Sequence, residues 1–129
     1  MERSVAGILL KGSKVLIARR SEGESFSHFW EFPGGKVEAG ESDEDALRRE
    51  FKEELDLPIQ AIRLIGEVQF PHRGLPRILA AWLVDADGEF APRMIVHEHL
   101  DWVGVADLPG LTLVDSDRKL VDMVARLLE

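Results

Sequence analysis

Hydrophobic and polar residues alternate in short blocks along the chain, and these blocks predict a series of β-strands. Two β-branched runs at residues 5–10 and 15–18 flank a polar turn that contains Gly12, which is the pattern of a β-hairpin. Further strand-like runs lie at residues 29–32, 61–70, 78–84 and near 100–105. Because Pro33 and two glycines, which end regular elements, follow the run at 29–32, this strand is expected to stop there.

Apolar residues spaced three or four apart predict two helices. Ser42 is placed to cap a helix over residues 43–55, whose apolar face comprises Leu47, Phe51 and Leu55. A second, amphipathic helix is predicted after a cap at Ser116, with an apolar face of Leu120, Val121, Val124, Leu127 and Leu128. Strands mixed with two packed helices predict a layered α/β domain, and the length of 129 residues predicts a single domain over residues 1–129.

Composition and charge narrow the classes of function. The net charge of -8 argues against a broad contact with duplex nucleic acid. The sequence has no cysteine, which excludes a disulfide, a cysteine zinc site and a thiol nucleophile within it. No run approaches the roughly 20 apolar residues of a membrane span, so the interpretation is a soluble, cytoplasmic protein, either a monomer or a homodimer.

Acidic residues are concentrated between residues 36 and 56, where nine of them stand against four basic ones. At about 100° per residue, Glu50, Glu53 and Glu54 fall within roughly a third of the helix circumference, at the border of its apolar face. Neighbouring carboxylates repel one another, and oxygen ligands without cysteine or imidazole favour Mg²⁺ or Mn²⁺ over Zn²⁺ as the neutralising cation. The alternative is an ordinary solvated acidic face.

The loop before this helix favours the metal hypothesis. Gly34 and Gly35 allow the backbone to approach a ligand closely. Glu41 lies one turn upstream of the helix, within reach of Arg49, and Arg49 lies four residues before Glu53. Arg49 is therefore expected to hold the acidic cluster in place without touching substrate.

The segment GKVEAGESDEDALRREFKEELDL, residues 35–57, resembles the Nudix box. That pattern is Gly, five spacers, Glu, seven spacers, and then Arg-Glu-aliphatic-x-Glu-Glu-x-Gly-aliphatic. This sequence departs from it at two positions, Phe51 for the aliphatic residue and Asp56 for the glycine after the helix. Phe51 still supplies an apolar side chain, and aspartate tolerates the left-handed conformation better than most residues, so activity is expected to survive both changes.

Together with the lead-in EFPGGK at residues 31–36, nearly the whole chain resembles the MutT-like branch of the Nudix hydrolases. The resemblance implies an α/β/α sandwich with a mixed β-sheet, a catalytic loop-helix and a C-terminal amphipathic helix. It also implies hydrolysis of a nucleoside triphosphate to the monophosphate and pyrophosphate with Mg²⁺, for which Mn²⁺ is a possible substitute. The metal ligands that it implies are Glu50, Glu53, Glu54 and a backbone carbonyl of Gly34 or Gly35, while Glu41 and Arg49 brace the loop.

The residue that takes the proton of the attacking water is left open. Glu50 and Glu53 are candidates, and Glu98, in the sequence His97–Glu98–His99, is a third. Glu98 is equally a candidate metal ligand. The alternative is that His97–Glu98–His99 is an ordinary polar loop before the strand near residue 100.

Recognition of the base needs a stacking surface and a polar edge. Phe32, Phe70 and Arg20 are candidates to line this pocket, although each phenylalanine is also a plausible core residue. The resemblance points to Asp115 as the side chain that reads the base, with a role in the cap of the last helix as the alternative. An ionised aspartate only accepts hydrogen bonds, which suits the exocyclic amine of cytosine and tilts the prediction toward CTP, dCTP or a 5-substituted dCTP.

Two alternatives to a cytidine-type triphosphate remain. Guanine also presents N–H donors, so 8-oxo-dGTP is a second candidate substrate. From another class of function, the chain would be a nucleotide-sensing Nudix domain without turnover, although a pure binding module has no need of all three glutamates.

Overall fold

The computed structural model describes residues 2–19, 28–86 and 99–129. Its sheet contains the strands β1 Glu2–Lys11, β2 Lys14–Arg19, β3 Trp30–Glu31, β4 Gly34–Lys36, β5 Ile59–His72, β6 Leu75–Ala86 and β7 His99–Gly104. The helices of the described residues are α1 Asp43–Leu55, α2 Asp115–Arg118 and α3 Val121–Arg126, together with a 3₁₀ helix at Val105–Gly110. None of these helices combines the length and the apolar character that crossing a membrane requires.

Strand β1 is the centre of a mixed sheet. It pairs in parallel with β6 and in antiparallel fashion with β4 and β2. Strand β5 lies outside β6, while β3 and β7 pair with β2. The predicted β1–β2 hairpin is confirmed, and Gly12 in its turn has a φ of 63°, a left-handed conformation that glycine adopts at no steric penalty.

Apolar side chains cover both faces of the sheet, which confirms the layered α/β prediction. One core packs α1 on the sheet through Leu47, Phe51 and Leu55, against strand residues such as Val5 and Val84. The opposite core joins Ile8 and Ala81 of the sheet to Leu120 and Val124 near the C-terminus. The two cores hold α1 and the C-terminal helices on opposite sides of β1.

Helix α1 begins and ends where the sequence predicts. The Ser42 side chain accepts a hydrogen bond from the Asp45 backbone N–H at 3.1 Å, which is the expected N-cap. Asp56 ends the helix in the left-handed conformation, with a φ of 50°, and its N–H bonds to the carbonyl of Lys52. The aspartate therefore adopts the conformation for which the Nudix pattern carries glycine.

The expectation that the aromatic strand ends at the Pro–Gly–Gly sequence is confirmed, because β3 ends at Glu31, but a further strand that the sequence did not predict follows directly. Strand β4 starts at Gly34 and pairs with β1 through Val5 and Ala6. A Cβ on Gly34 would lie 2.0 Å from the Val5 carbonyl oxygen, and Gly34 has a φ of 154°, so only glycine fits this pairing. The glycines end one strand and, because they allow this close approach, begin the next.

The C-terminal helix also differs from the prediction. Two short helices, α2 and α3, replace the single helix, and Ser116 lies inside α2, whereas Val114 holds the N-cap position without a side-chain cap. The Asp117 side chain turns inward to accept a hydrogen bond from the backbone N–H of Phe32, so α2 is anchored by a polar contact. Leu128, expected on the apolar face, is 43% exposed.

Candidate active site

A cleft of about 1220 Å³ brings the predicted site together at the edge of β1 and β4. It contains the acidic side chains of Glu50 and Glu54 from α1 and the backbone of Gly34 and Gly35. Its remaining lining residues come from β1, β3, the β5–β6 hairpin, α2 and the residues adjoining them. The cleft and helix α1 therefore meet at Gly34 and Gly35.

Glu50 and Glu54 form a coupled pair of carboxyl groups at the cleft wall. Burial and the negative charges of Glu50 and Glu31 raise the pKa of Glu54 to about 9. Burial also raises the pKa of Glu50, although bonds from Arg49 and from the Glu54 carboxyl oppose this shift. At neutral pH the pair therefore retains a proton.

Glu53 lies on the solvent side of this pair and does not line the cleft. Its side chain is 61% exposed, and its Oε2 lies 3.4 Å from Nη1 of Arg49. Among the described residues, no three acidic or histidine side chains are already gathered as a metal centre. Of the three predicted glutamates, the structure thus brings Glu50 and Glu54 together and leaves Glu53 beside them on the solvent side.

The backbone of the glycine loop lies directly against Glu50. A Cβ added to Gly35 would lie 2.5 Å from Glu50 Oε1, so the absence of a side chain leaves room for this carboxylate. A backbone hydrogen bond from Gly34 to Glu54 partly offsets the rise in the pKa of Glu54. The glycines therefore place backbone polar groups beside both carboxyls.

Arg49 links the loop to the helix. Its Nε and Nη2 donate to the two carboxylate oxygens of Glu41 at 2.8 and 2.9 Å, and Nη2 also donates to the Lys36 carbonyl at 2.9 Å. Its Nη1 donates to Glu50 Oε1 at 2.9 Å. The forked bond to Arg49 and the backbone N–H of Glu38 lower the pKa of Glu41 to about 2, so Glu41 stays ionised. These contacts join the two residues for which a bracing role is predicted, Glu41 and Arg49, to the loop and to Glu50.

The donors at this site fit a divalent cation. Glu54 Oε2 is buried and, within the described part of the chain, has no hydrogen-bond partner. Such an oxygen is costly to bury without a partner, and a positive ion beside it would both pair it and displace the shared proton. Carboxylate and carbonyl oxygens suit a hard cation. Glu50 and Glu54 would hold the ion with the loop backbone, and Glu53 would join them after a rotation of its side chain.

Three of the four residues predicted at the base end, Phe32, Phe70 and Asp115, lie in the same cleft. Phe32 and Phe70 line it, although Phe32 is only 3% exposed and also belongs to the core. Asp115 lines it from the first position of α2 and is solvent-exposed. The remaining predicted residues, Arg20 and Glu98, lie outside the described residues.

Asp117 is a further acid of the cleft that the sequence pattern did not single out. Asp117 is 6% exposed, and its Oδ2 accepts the Phe32 backbone N–H at 2.7 Å while Oδ1 accepts the Ser116 hydroxyl at 3.2 Å. This contact ties α2 to the residue immediately before Pro33. The signal in the sequence was the position of Asp117, two residues after Asp115. In a short helix this spacing turns the Asp117 side chain inward.

The sequence profile of the NUDIX domain matches residues 1–124. A Mycobacterium tuberculosis protein named "Putative 8-oxo-dGTP diphosphatase 2" is 36% identical over 126 residues, which cover 96% of this chain and 88% of that protein. The CTP pyrophosphohydrolase of Escherichia coli is 32% identical over 120 residues, covering 92% of this chain and 87% of the relative. The solution structure of the E. coli ORF135 protein superposes with a TM-score of 0.86 at 29% identity, covering 98% and 90% of the two chains.

Proposed function

The chain belongs to the Nudix family as a hydrolase of phosphorus anhydrides, and we propose that it is a Mg²⁺-dependent nucleoside triphosphate pyrophosphohydrolase. The proposed reaction converts a nucleoside triphosphate and water to the monophosphate and pyrophosphate. One observation carries the proposal: the Glu50–Glu54 pair, with its buried unpaired oxygen, lies against the Gly34–Gly35 backbone inside a nucleotide-sized cleft.

The chain's own residues have separate roles in this proposal. Arg49 fixes the Glu50 carboxylate and the loop at once, so the acidic groups keep their spacing when a charged substrate enters. Glu50, Glu53 or Glu98 accepts the proton of the attacking water. A divalent cation, when bound, neutralises charge on the phosphoryl oxygens and lowers the pKa of coordinated water.

Magnesium is proposed over zinc because of the donor set. The candidate ligands are carboxylates and backbone carbonyls, and the chain has no cysteine. Mn²⁺, which prefers the same oxygen ligands, is the expected substitute. The cation also explains how an acidic helix accepts an anionic substrate, since the bound charge reverses the local repulsion.

The identity of the base is the finer part of the proposal. Asp115 in the cleft supports a cytidine-type triphosphate, because a carboxylate accepts from the exocyclic amine. Relatives named for CTP and for 8-oxo-dGTP support the two substrates equally. Asp117 adds a second acceptor near Phe32, and it would serve the donor edge of either base.

The decisive experiment is pyrophosphate release with Mg²⁺ across canonical, oxidised and methylated triphosphates. Glu53→Gln and Glu54→Gln are expected to lower turnover by orders of magnitude while the protein stays folded. Glu44→Gln is the matched control, since Glu44 lies in the first turn of α1 and does not line the cleft. Near-wild-type rates in both glutamine variants would remove the metal assignment.

The same panel separates the base-reading acids. Asp115→Asn and Asp117→Asn are expected to change the preference between cytidine-type and 8-oxo-guanine triphosphates, because asparagine both donates and accepts. A nucleotide that raises the melting temperature without any release of pyrophosphate would favour a sensing domain instead. A melting temperature that neither Mg²⁺ nor any nucleotide changes would contradict both functions.

A further inference from the structure

Among the described residues, Arg77 is the only arginine or lysine that is almost completely buried, with 5% of its surface exposed. It lies on β6 and lines the same cleft as Glu50 and Glu54. Burying a guanidinium is unfavourable unless its donors are paired. The hydrogen bonds of Arg77 therefore indicate which kind of ligand this part of the cleft binds.

One donor nitrogen of Arg77 has a partner and another has none among the described residues. Its Nη2 donates to Oε2 of Glu2, whose side chain is 71% exposed, whereas its Nε is buried and has no hydrogen-bond partner among the described residues. Arg3 and Arg49 show the full arrangement, since each uses Nε and Nη2 together to grip one carboxylate. Arg77 thus presents a forked edge that a second oxygen of one anion would complete.

Further positive groups surround this edge. Lys36 and Arg73 line the cleft with Arg77, and His72 lies among them. Burial lowers the pKa of His72, and the positive charges of Arg77, Arg73 and Lys36 lower it further. In a chain of net charge -8, Lys36, Arg73 and Arg77 form a local cluster of cations on the cleft wall, which suits an anion.

Strand register gives the position of this group relative to the carboxylates. Along β1, Glu2 pairs with Arg77, Ser4 with Lys36 and Val5 with Gly35, so the cations and the glycine loop follow one another on neighbouring strands. The backbone distance from Glu2 to Val5 is about 10 Å at the rise of a strand. A polyphosphate chain held beside Gly35 would have its outer phosphates directed at Lys36 and Arg77 if it follows β1.

We propose that Arg77, with Lys36 and Arg73, forms an anion subsite that binds the terminal phosphoryl groups of a polyphosphate, and that Glu2 occupies this subsite when no phosphate is bound. This inference rests on the proposed pyrophosphohydrolase function and specifies the phosphate chain that the site selects. The subsite favours triphosphates over diphosphates, because the third phosphate reaches the forked edge. Binding of the phosphate displaces the exposed Glu2 carboxylate, while the guanidinium stays in place.

Calorimetric titration of the metal-free protein with inorganic pyrophosphate tests the subsite without any catalysis. Arg77→Gln is expected to weaken pyrophosphate binding at least about tenfold, the loss of a charged forked pair. Glu2→Gln removes the competing carboxylate and is expected to tighten binding about two- to fivefold, and it leaves the buried arginine intact. Arg63→Gln, the same change at an exposed position of β5 outside the cleft, is expected to leave binding unchanged.

Kinetic selectivity provides the second measurement. The ratio of kcat/KM for a nucleoside triphosphate to that for its diphosphate is expected to fall at least about tenfold in Arg77→Gln. If Arg77→Gln affects both phosphate lengths equally and instead changes the discrimination between bases, Arg77 reads the base and the proposal is overturned. Unchanged pyrophosphate binding in both Arg77→Gln and Glu2→Gln also overturns it.

The two proposals fail in different ways. Pyrophosphate binding that depends on Arg77 in a protein without triphosphate hydrolysis would overturn the proposed function and leave the subsite standing. Normal hydrolysis with no effect of Arg77→Gln on pyrophosphate binding or phosphate-length selectivity would overturn the subsite alone. Circular dichroism and urea unfolding of Arg77→Gln show whether its fold is intact, and Glu2→Gln carries the test if it is not.

Discussion

The buried carboxyl of Glu54 makes the stability of the metal-free protein depend on pH. Its pKa is raised to about 9 by burial first and by the negative charges of Glu50 and Glu31 second. A folded protein that holds a proton more tightly than its unfolded chain loses stability as pH rises through the interval between the two pKa values. The free energy of unfolding is therefore expected to fall from about pH 4.5, the ordinary value for glutamate, towards about pH 9.

The size of this change in the free energy of unfolding follows from the release of one proton. Each pH unit inside that interval changes the free energy of unfolding by at most about 1.4 kcal/mol for a single titrating group. Glu54→Gln keeps the size of the side chain but has no ionised form, so the variant is expected to lose this slope. At pH 8 it is then expected to exceed the wild type in stability, by an amount on the order of several kcal/mol.

Urea unfolding in the presence of a chelator, at intervals from pH 5 to 8.5, measures both slopes. Glu53→Gln is the control, because Glu53 lies on the same helix with a side chain that is 61% exposed. Its slope is expected to match that of the wild type. An equally steep fall in Glu54→Gln, or a wild type that becomes more stable as pH rises, would refute the assignment of this titration to Glu54. Saturating Mg²⁺ is expected to reduce the wild-type slope, because the cation favours the deprotonated carboxylates.

Three further substitutions test the parts around this pair. Arg49→Lys removes the forked bond to Glu41, so Mg²⁺ binding measured by calorimetry should weaken about ten- to hundredfold with an unchanged circular dichroism spectrum. Gly35→Ala places a methyl group 2.5 Å from Glu50 Oε1, and the displaced carboxylate should lower metal affinity, whereas the melting temperature moves by only a few degrees. Asp43→Asn weakens a carboxylate that accepts from both a guanidinium and an indole, and urea unfolding should show a loss of about 1–3 kcal/mol.

Local interactions explain why helix α1 and the acidic part of the site were predictable from sequence. The cap at Ser42 and the end at Asp56 involve hydrogen bonds between residues only three to five apart. Within one helix, sequence spacing fixes which side chains share a face, so Glu50 and Glu54 had to be neighbours once the helix was assigned. The spacing could not fix their rotamers, and in the structure Glu50 and Glu54 line the cleft while the Glu53 side chain is 61% exposed.

Contacts between distant residues explain what sequence analysis missed. The Asp117 side chain bonds to a backbone group 85 positions earlier, and Arg77 bonds to Glu2 across 75 positions. Both contacts depend on strand order, since the Arg77–Glu2 pair exists only because β6 lies parallel to β1. The pattern of apolar residues predicts strands but not which strands become neighbours. The burial of Arg77 could therefore not be predicted, because arginine is usually a surface residue.

The arrangement of charge reconciles an acidic protein with an anionic substrate. Composition alone excludes a broad basic surface, but it averages over residues that the fold separates. Glu50 and Glu54 belong to a single helix, where a cation is needed to offset their repulsion, whereas Lys36 on β4 and the two arginines of the β5–β6 hairpin, Arg73 and Arg77, come from separate parts of the sequence and are brought to the same cleft by the sheet. A polyphosphate would thus meet positive charge of two origins, a metal ion bound by α1 and fixed side chains placed by the sheet. Loss of the metal should abolish turnover, while loss of the fixed cations should change which phosphate chain is accepted.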